Sequence, residues 1–197
     1  TLGAASSLTT ADIDDAQVQA SAVIYLEGYL FDPPEAKAAF VRASEVAHAV
    51  NRKVSITLSD SFCVDRHRAA FAHLVDNHID ILFANEDEIV SLYETSSFDE
   101  AVQAVRGRCE IACLTRSSDG SVIIAGEDVI EVPAAPVEKV IDTTGAGDLY
   151  AAGFLFGYTQ GKSLAESGAI GGIAAAEVIA HFGARPAVAL RELMPAG

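Results

Sequence analysis

The sequence predicts an α/β fold, a mainly parallel sheet flanked by helices and extended by an antiparallel hairpin. Two patterns predict it. Short apolar segments rich in β-branched residues alternate with segments of helical spacing as far as residue 115, the signature of parallel βα units. Two strand-sized runs, 121–125 and 128–132, then follow one another across Gly126-Glu127 with no room for a helix between them. Size and composition agree, because 197 residues, 50% of them hydrophobic, with a mean hydropathy of +0.28, can bury a sizeable core. No internal repeat or low-complexity linker divides the chain, so one α/β unit is the economical reading.

In chain order, Thr9 or Thr10 caps a short helix through 12–20, and 22–26 is a brief apolar strand. Asp32-Pro33-Pro34-Glu35 combines a cap, early prolines and an acid at the third position, so a helix starts there and runs to about Asn51. A strand at 53–58 and a helix at 65–77 follow. The strand at 79–84 has four large apolar residues in six, which places it centrally with both faces covered. Helices at 86–93 and 98–106 precede a strand at 110–115 and the hairpin. Pro133 and Pro136 make an extended connector, and a nearly uncharged helix starts near Gly147. Ser163-Leu164-Ala165-Glu166 has the spacing of a capping box for a last long helix ending near Gly183, with a short helix at 187–193 after it. Right-handed crossovers would bring the C-terminal strand ends, and any site, to one rim.

Charge excludes some partners. With 13 Lys plus Arg against 28 Asp plus Glu, the formal charge is -15, which argues against nucleic acid and against docking on an anionic membrane. It leaves a small phosphorylated ligand open. Cys63, Cys109 and Cys113 show neither zinc spacing nor a disulfide framework, which fits a reducing, cytoplasmic setting. No apolar run reaches membrane-spanning length and no signal peptide opens the chain. The first segment reads as the end of something, so residues upstream are expected.

The chemistry concentrates at Asp142-Thr143-Thr144-Gly145-Ala146-Gly147-Asp148. A glycine turn at the first turn of a helix leaves backbone N–H groups free to bind an anion. Asp148 then has two readings: an acid stabilised by the helix dipole, or a base that takes a substrate hydroxyl's proton while the amides hold the phosphate under attack. Asn85-Glu86-Asp87-Glu88, directly after the central strand, also has two. It is a capping box, or Glu88 helps hold Mg²⁺ through water. Thr115-Arg116-Ser117-Ser118-Asp119-Gly120 is a solvent loop or a nucleotide contact, Arg116 having the donor fork that suits phosphate. Small residues along 169–179 permit close packing or a flat ligand. The histidines show no compact metal spacing, and neither a P-loop nor a dinucleotide fingerprint is present.

The 142–148 stretch, together with Asn85-x-x-Glu88, resembles the PfkB, or ribokinase-like, family of carbohydrate and nucleoside kinases. The resemblance extends over nearly the whole chain, through the 115–120 loop, the hairpin and His181-Phe182-Gly183-Ala184-Arg185-Pro186. Residues 25–32 and 59–66 are more particularly similar to bacterial members described as adenosine or sugar kinases. The resemblance implies a three-layer α/β/α fold and an ATP- and Mg²⁺-dependent phosphotransferase acting on a nucleoside, adenosine favoured, or a sugar.

By the same resemblance, Asp148 is the general base, and Gly145, Ala146 and Gly147 with the Asp148 amide form the anion hole. Asn85 and Glu88 organise water-bound Mg²⁺ and phosphates. Thr115, Arg116, Gly120, Thr144 and Gly183 contact the nucleotide, with Ala175, Ala176 and Ile179 beside adenine. A monovalent cation, K⁺ as the candidate, would sit near Asp142, the Thr144 carbonyl, Val178 and Gly183.

Family members are longer, and their N-terminal part supplies most of the acceptor pocket and of a small lid sheet. Residues 1–8 are thus expected to be a lid-strand remnant and connector, and 9–197 the major C-terminal part of the α/β domain. A monomer or homodimer is expected. The competing readings are ribokinase or fructokinase activity on a free sugar, a nucleotide-binding homologue or fragment without turnover, and a purely structural domain.

Overall fold

The computed structural model describes residues 3–194, so Thr1 and Leu2 of the expected lid strand lie outside the described residues; Gly3–Ser7 is a 3₁₀ turn. Six strands are hydrogen-bonded in chain order: β1 (Val23–Glu27), β2 (Lys53–Thr57), β3 (Ile81–Asn85), β4 (Ile111–Thr115), β5 (Ser121–Ala125) and β6 (Asp128–Val132). Among the described residues the α-helices are α1 (Asp15–Ala20), α2 (Pro34–His48), α3 (Ser61–His78), α4 (Glu86–Tyr93), α5 (Phe98–Val105), α6 (Ala146–Thr159) and α7 (Leu164–Val178). The chain divides into two compact units, Thr1–Ala112 with Ala125–Glu127, and Cys113–Ile124 with Asp128–Gly197.

In the first unit β1 pairs with β2 and β2 with β3, both parallel, with Glu27 opposite Thr57 and Thr57 opposite Phe83. The C-terminal ends of these strands therefore lie side by side. Ile81 to Ala84 are all buried, as expected of a strand covered on both faces. Phe31 stacks on Phe71 at 4.4 Å between ring centres, and Phe40 lies against Phe31. Burial of each such ring is worth about 1.5–3 kcal/mol.

Several helix starts differ from the sequence expectation, each for a local reason. The helix expected at 12–20 is two pieces, because Thr9 caps a 3₁₀ turn at Thr10–Asp12 and Asp14 then caps α1. Asp32 does not cap α2. Its carboxylate binds His67 Nε2 at 2.6 Å instead, after a 3₁₀ turn at Gly28–Phe31, and the helix starts behind Pro33. Helix α3 begins four residues earlier than expected, since the Asp60 side chain accepts the Cys63 N–H at 2.7 Å, and it is interrupted by a non-helical backbone at His67.

The hairpin β5-β6 has the expected bounds and its turn at Gly126-Glu127. Helices α6 and α7 touch backbone to backbone. A Cβ on Gly153 would lie 2.8 Å from the Ile170 carbonyl oxygen, and one on Gly171 would lie 2.8 Å from that of Tyr150. The small residues at 168, 171 and 174 thus serve packing, while Gly172, Ala175 and Ala176 are only half-buried. The helix expected at 187–193 is reduced to a 3₁₀ turn at Leu190–Glu192. The N–H groups of Ala187 and Val188 are instead directed to the Glu177 carboxylate.

Tyr150, buried in α6, donates its hydroxyl proton to Ser121 Oγ at 2.7 Å, and Ser121 is itself buried. Burial also pushes the phenol pKa far up, which keeps it a donor. Tyr150→Phe leaves that oxygen unpaired and is expected to lower the unfolding free energy by about 1–2 kcal/mol. Urea denaturation checks this, and adding Ser121→Ala should return most of the loss. Among the described residues no helix is long and apolar enough to cross a membrane.

Candidate functional site

Helix α6 begins at Gly145, whose φ of +83° is left-handed and which caps the helix with no side-chain hydrogen bond. The loop before it is shaped by Asp142. Its Oδ1 accepts the Thr144 N–H at 2.9 Å and the Thr144 hydroxyl at 2.7 Å, and its Oδ2 accepts the Gly183 N–H at 3.0 Å. These donors, the Thr144 hydroxyl first, hold the Asp142 pKa down at about 2. The Ile179 carbonyl, at the end of α7, accepts the N–H of Ile141 at 2.8 Å. Asp142, Thr144, Gly145, Ile179 and Gly183 are therefore brought together.

The turn that results has two open properties. Ala146 N–H is used, by the Thr143 carbonyl, but among the described residues no backbone acceptor takes the N–H groups of Gly147 or Asp148. Gly147 and Asp148 are also exposed. Free amides at a helix start, with the helix dipole behind them, attract an anion. Asp148 sets a carboxylate beside them.

Elsewhere in the same unit, Thr115 ends β4 and Arg116 opens the turn before β5. Arg116 N–H donates to the Gly120 carbonyl at 2.8 Å, closing the loop, and the Arg116 guanidinium lies 3.9 Å from Asp119. Ala175 and Ala176 on α7 and Ile179, which caps its C-terminus, are half-buried, whereas Val178 is fully buried, backbone included.

In the first unit, Asn85 and Glu88 form the capping box. Asn85 Oδ1 accepts the Glu88 N–H, and Glu88 Oε2 and Oε1 accept the Asn85 N–H and side-chain amide, all at 2.9 Å. Glu88 is 5% exposed, and burial, helped by the nearby carboxylates of Asp60, Glu27 and Asp87, pushes its pKa up to about 7. Glu27, Asp60 and Asp87 bring further carboxylates to this rim. Ser59, in a left-handed conformation at φ +73°, donates to Glu27 and accepts the Tyr29 N–H at 3.1 Å. Among the described residues no three His, Cys, Asp or Glu side chains are placed to hold a metal directly.

The raised pKa of Glu88 has a consequence for stability. Folding disfavours its ionised form, so its contribution to stability falls as pH rises from about 4.5 to about 7 and stays low above that. Glu88→Gln keeps one oxygen for the Asn85 N–H, loses the acceptor of the Asn85 side-chain amide at every pH, and cannot ionise. Its stability relative to wild type is expected to rise by about 3 kcal/mol across that window, measured by denaturant unfolding at pH steps. A constant difference would show that Glu88 titrates normally.

Sequence reasoning did not single out two residues at this loop. Ala184 lies where a Cβ on Gly145 would be, with 2.8 Å between the two Cβ positions, and Glu177 binds the segment that carries it. Both contacts join residues far apart in sequence or depend on an irregular segment, and no local pattern signals them.

The family described as pfkB family carbohydrate kinase matches residues 1–190. Among solved structures, adenosine kinase from Sinorhizobium meliloti is 48% identical with a TM-score of 0.93, covering 95% of this chain and 58% of that one. A probable sugar kinase from Rhizobium etli is 46% identical with the same TM-score, covering 95% and 57%. An uncharacterized sugar kinase of Archaeoglobus fulgidus is 40% identical over 106 residues, 53% of this chain and 42% of that protein. The chain thus spans less than two thirds of the length of these relatives. The fold it shares with the solved structures is the expected three-layer α/β/α arrangement, with a mainly parallel sheet and an antiparallel hairpin at its edge.

Proposed function

We propose that this chain, which belongs to the pfkB family of carbohydrate kinases, carries the phosphoryl-transfer machinery of an ATP- and Mg²⁺-dependent kinase that phosphorylates a hydroxymethyl group. The observation that supports this most is the exposed first turn of α6, where unpaired amides and the Asp148 carboxylate stand together. Asp148 takes the proton of the acceptor hydroxyl as its oxygen attacks phosphorus. The amides of Gly145, Gly147 and Asp148 face the negative charge that spreads over the transferring group. Because the amides are fixed by the backbone before reaction, little reorganisation opposes the step.

ATP supplies the phosphoryl group and Mg²⁺ neutralises its charge, and the residues present fit both. The open side of α7 at Ala175, Ala176 and Ile179 suits a flat base, with Thr115, Arg116 and Gly120 as further nucleotide contacts. Glu88 and Asn85 suit water-bound Mg²⁺, since each Glu88 oxygen accepts one bond from Asn85 and keeps a lone pair for a metal-bound water. Asp142, the Thr144 carbonyl and the backbone at Val178 and Gly183 offer a place for K⁺. Asp142 already gives this loop part of the shape that such a cation would hold. The three free thiols fit a cytoplasmic setting.

Adenosine is the favoured acceptor because the Sinorhizobium relative is described as an adenosine kinase. A free sugar is the second reading, since the Rhizobium relative, almost as similar, is described as a probable sugar kinase. The deciding experiment gives the complete protein ATP and Mg²⁺ with adenosine, other nucleosides, ribose and fructose, and measures ADP release. Turnover on adenosine well above the sugars is expected. ATP binding with no turnover on any acceptor would leave a nucleotide-binding homologue instead.

A further inference from the structure

Glu177 stands in the last turn of α7, where the helix dipole disfavours a carboxylate, yet its side chain is only 9% exposed. Its Oε1 accepts the N–H of Ala187 at 2.8 Å and of Val188 at 3.3 Å, and His181 Nε2 lies 3.2 Å away. Its Oε2 is buried with no hydrogen-bond partner. An acid chosen for helix stability or solubility would be neither buried here nor half-satisfied. A broken local rule of this kind marks a residue held for another purpose.

What Glu177 gathers is a single segment, residues 181–188. That segment makes the two contacts that shape the turn before α6. Gly183 donates its N–H to Asp142 Oδ2 at 3.0 Å, and Ala184 packs against Gly145, where an added Cβ would come within 2.8 Å of the Ala184 Cβ. Without the hold at 187–188, the segment would be fastened only through His181, the Gly183 bond to Asp142 and the Ala184 contact with Gly145, all at its N-terminal half.

We infer that Glu177 is a positioning residue for the anion-binding turn of α6. Its carboxylate latches segment 181–188 to α7, and the segment holds Asp142 and Gly145 in the conformation that leaves the Gly147 and Asp148 amides free. The effect on rate rests on the kinase reading above. The latch itself does not.

The test uses the complete protein with Glu177→Ala, which removes the acceptor, and Glu177→Gln, which keeps one oxygen for the two amides. Hydrogen exchange at the Gly183 amide is expected to quicken roughly tenfold or more in E177A and to stay near wild type in E177Q. In the kinase assay kcat of E177A should fall about 10²-fold, with the acceptor KM changed only a few-fold, and E177Q should recover most of the rate. Ala187→Pro removes one donor at an exposed position without touching α7. It should quicken Gly183 exchange in the same direction, and it decides the matter should E177A not fold. Unchanged Gly183 exchange in these variants overturns the latch. Quickened exchange with unchanged kcat overturns its link to the site. A wild-type protein that phosphorylates nothing defeats the kinase reading, while the exchange measurement still decides the latch.

Discussion

Asp148→Asn is expected to lower turnover by about 10³-fold while ATP binding stays close to wild type, because the amide keeps the size and hydrogen-bonding reach of the side chain but cannot accept a proton. The two readings of Asp148 separate here. An acid that only complements the dipole of α6 would cost about 0.3–1 kcal/mol of stability when neutralised and leave the rate alone. A general base would cost rate and leave stability nearly unchanged. Single-turnover kinetics with a nucleotide titration measure both arms, and near-normal turnover in the variant would remove Asp148 from the chemistry.

Gly145→Ala should be nearly as damaging, by a different route. The residue sits at φ +83°, which costs a side chain about 1–3 kcal/mol, and the new methyl carbon meets the Ala184 Cβ at 2.8 Å. Ala184 is exposed and can retreat, but its retreat pulls on Gly183 and the N–H that Asp142 holds. We expect turnover to fall about 10²-fold and the unfolding free energy to drop by about 1–3 kcal/mol. Ala184→Gly in the same chain should relieve the contact and recover part of the rate, leaving the backbone strain. Full activity in Gly145→Ala would mean the turn tolerates another conformation.

What the sequence revealed was what is local. The hairpin around Gly126-Glu127, the Ser163/Glu166 cap and the Asn85/Glu88 cap each depend on residues two to four apart, and each forms. The glycine loop was readable for the same reason. Asp32 shows where local reading stops, since its cap position is overruled by His67, 35 residues away in sequence, with which its carboxylate makes a hydrogen bond. Gly183 reaches Asp142 across 41 residues, and Glu177 reaches Ala187 and Val188 over an irregular stretch with no periodicity to signal it. The capping role of Glu88 was legible, but its raised pKa was not, because that comes first from burial and then from the carboxylates of Asp60 and Glu27, far off in sequence, and of its neighbour Asp87.

The glycine contacts between α6 and α7 also set a measure. Backbone lying on backbone leaves no side chain to yield, so the first turn of α6 and the open side of α7 stand at a fixed separation. In the kinase reading proposed above the interval would act as a gauge block, setting the length of phosphate chain that a ligand with its base beside Ala175 and Ala176 needs in order to reach Gly147.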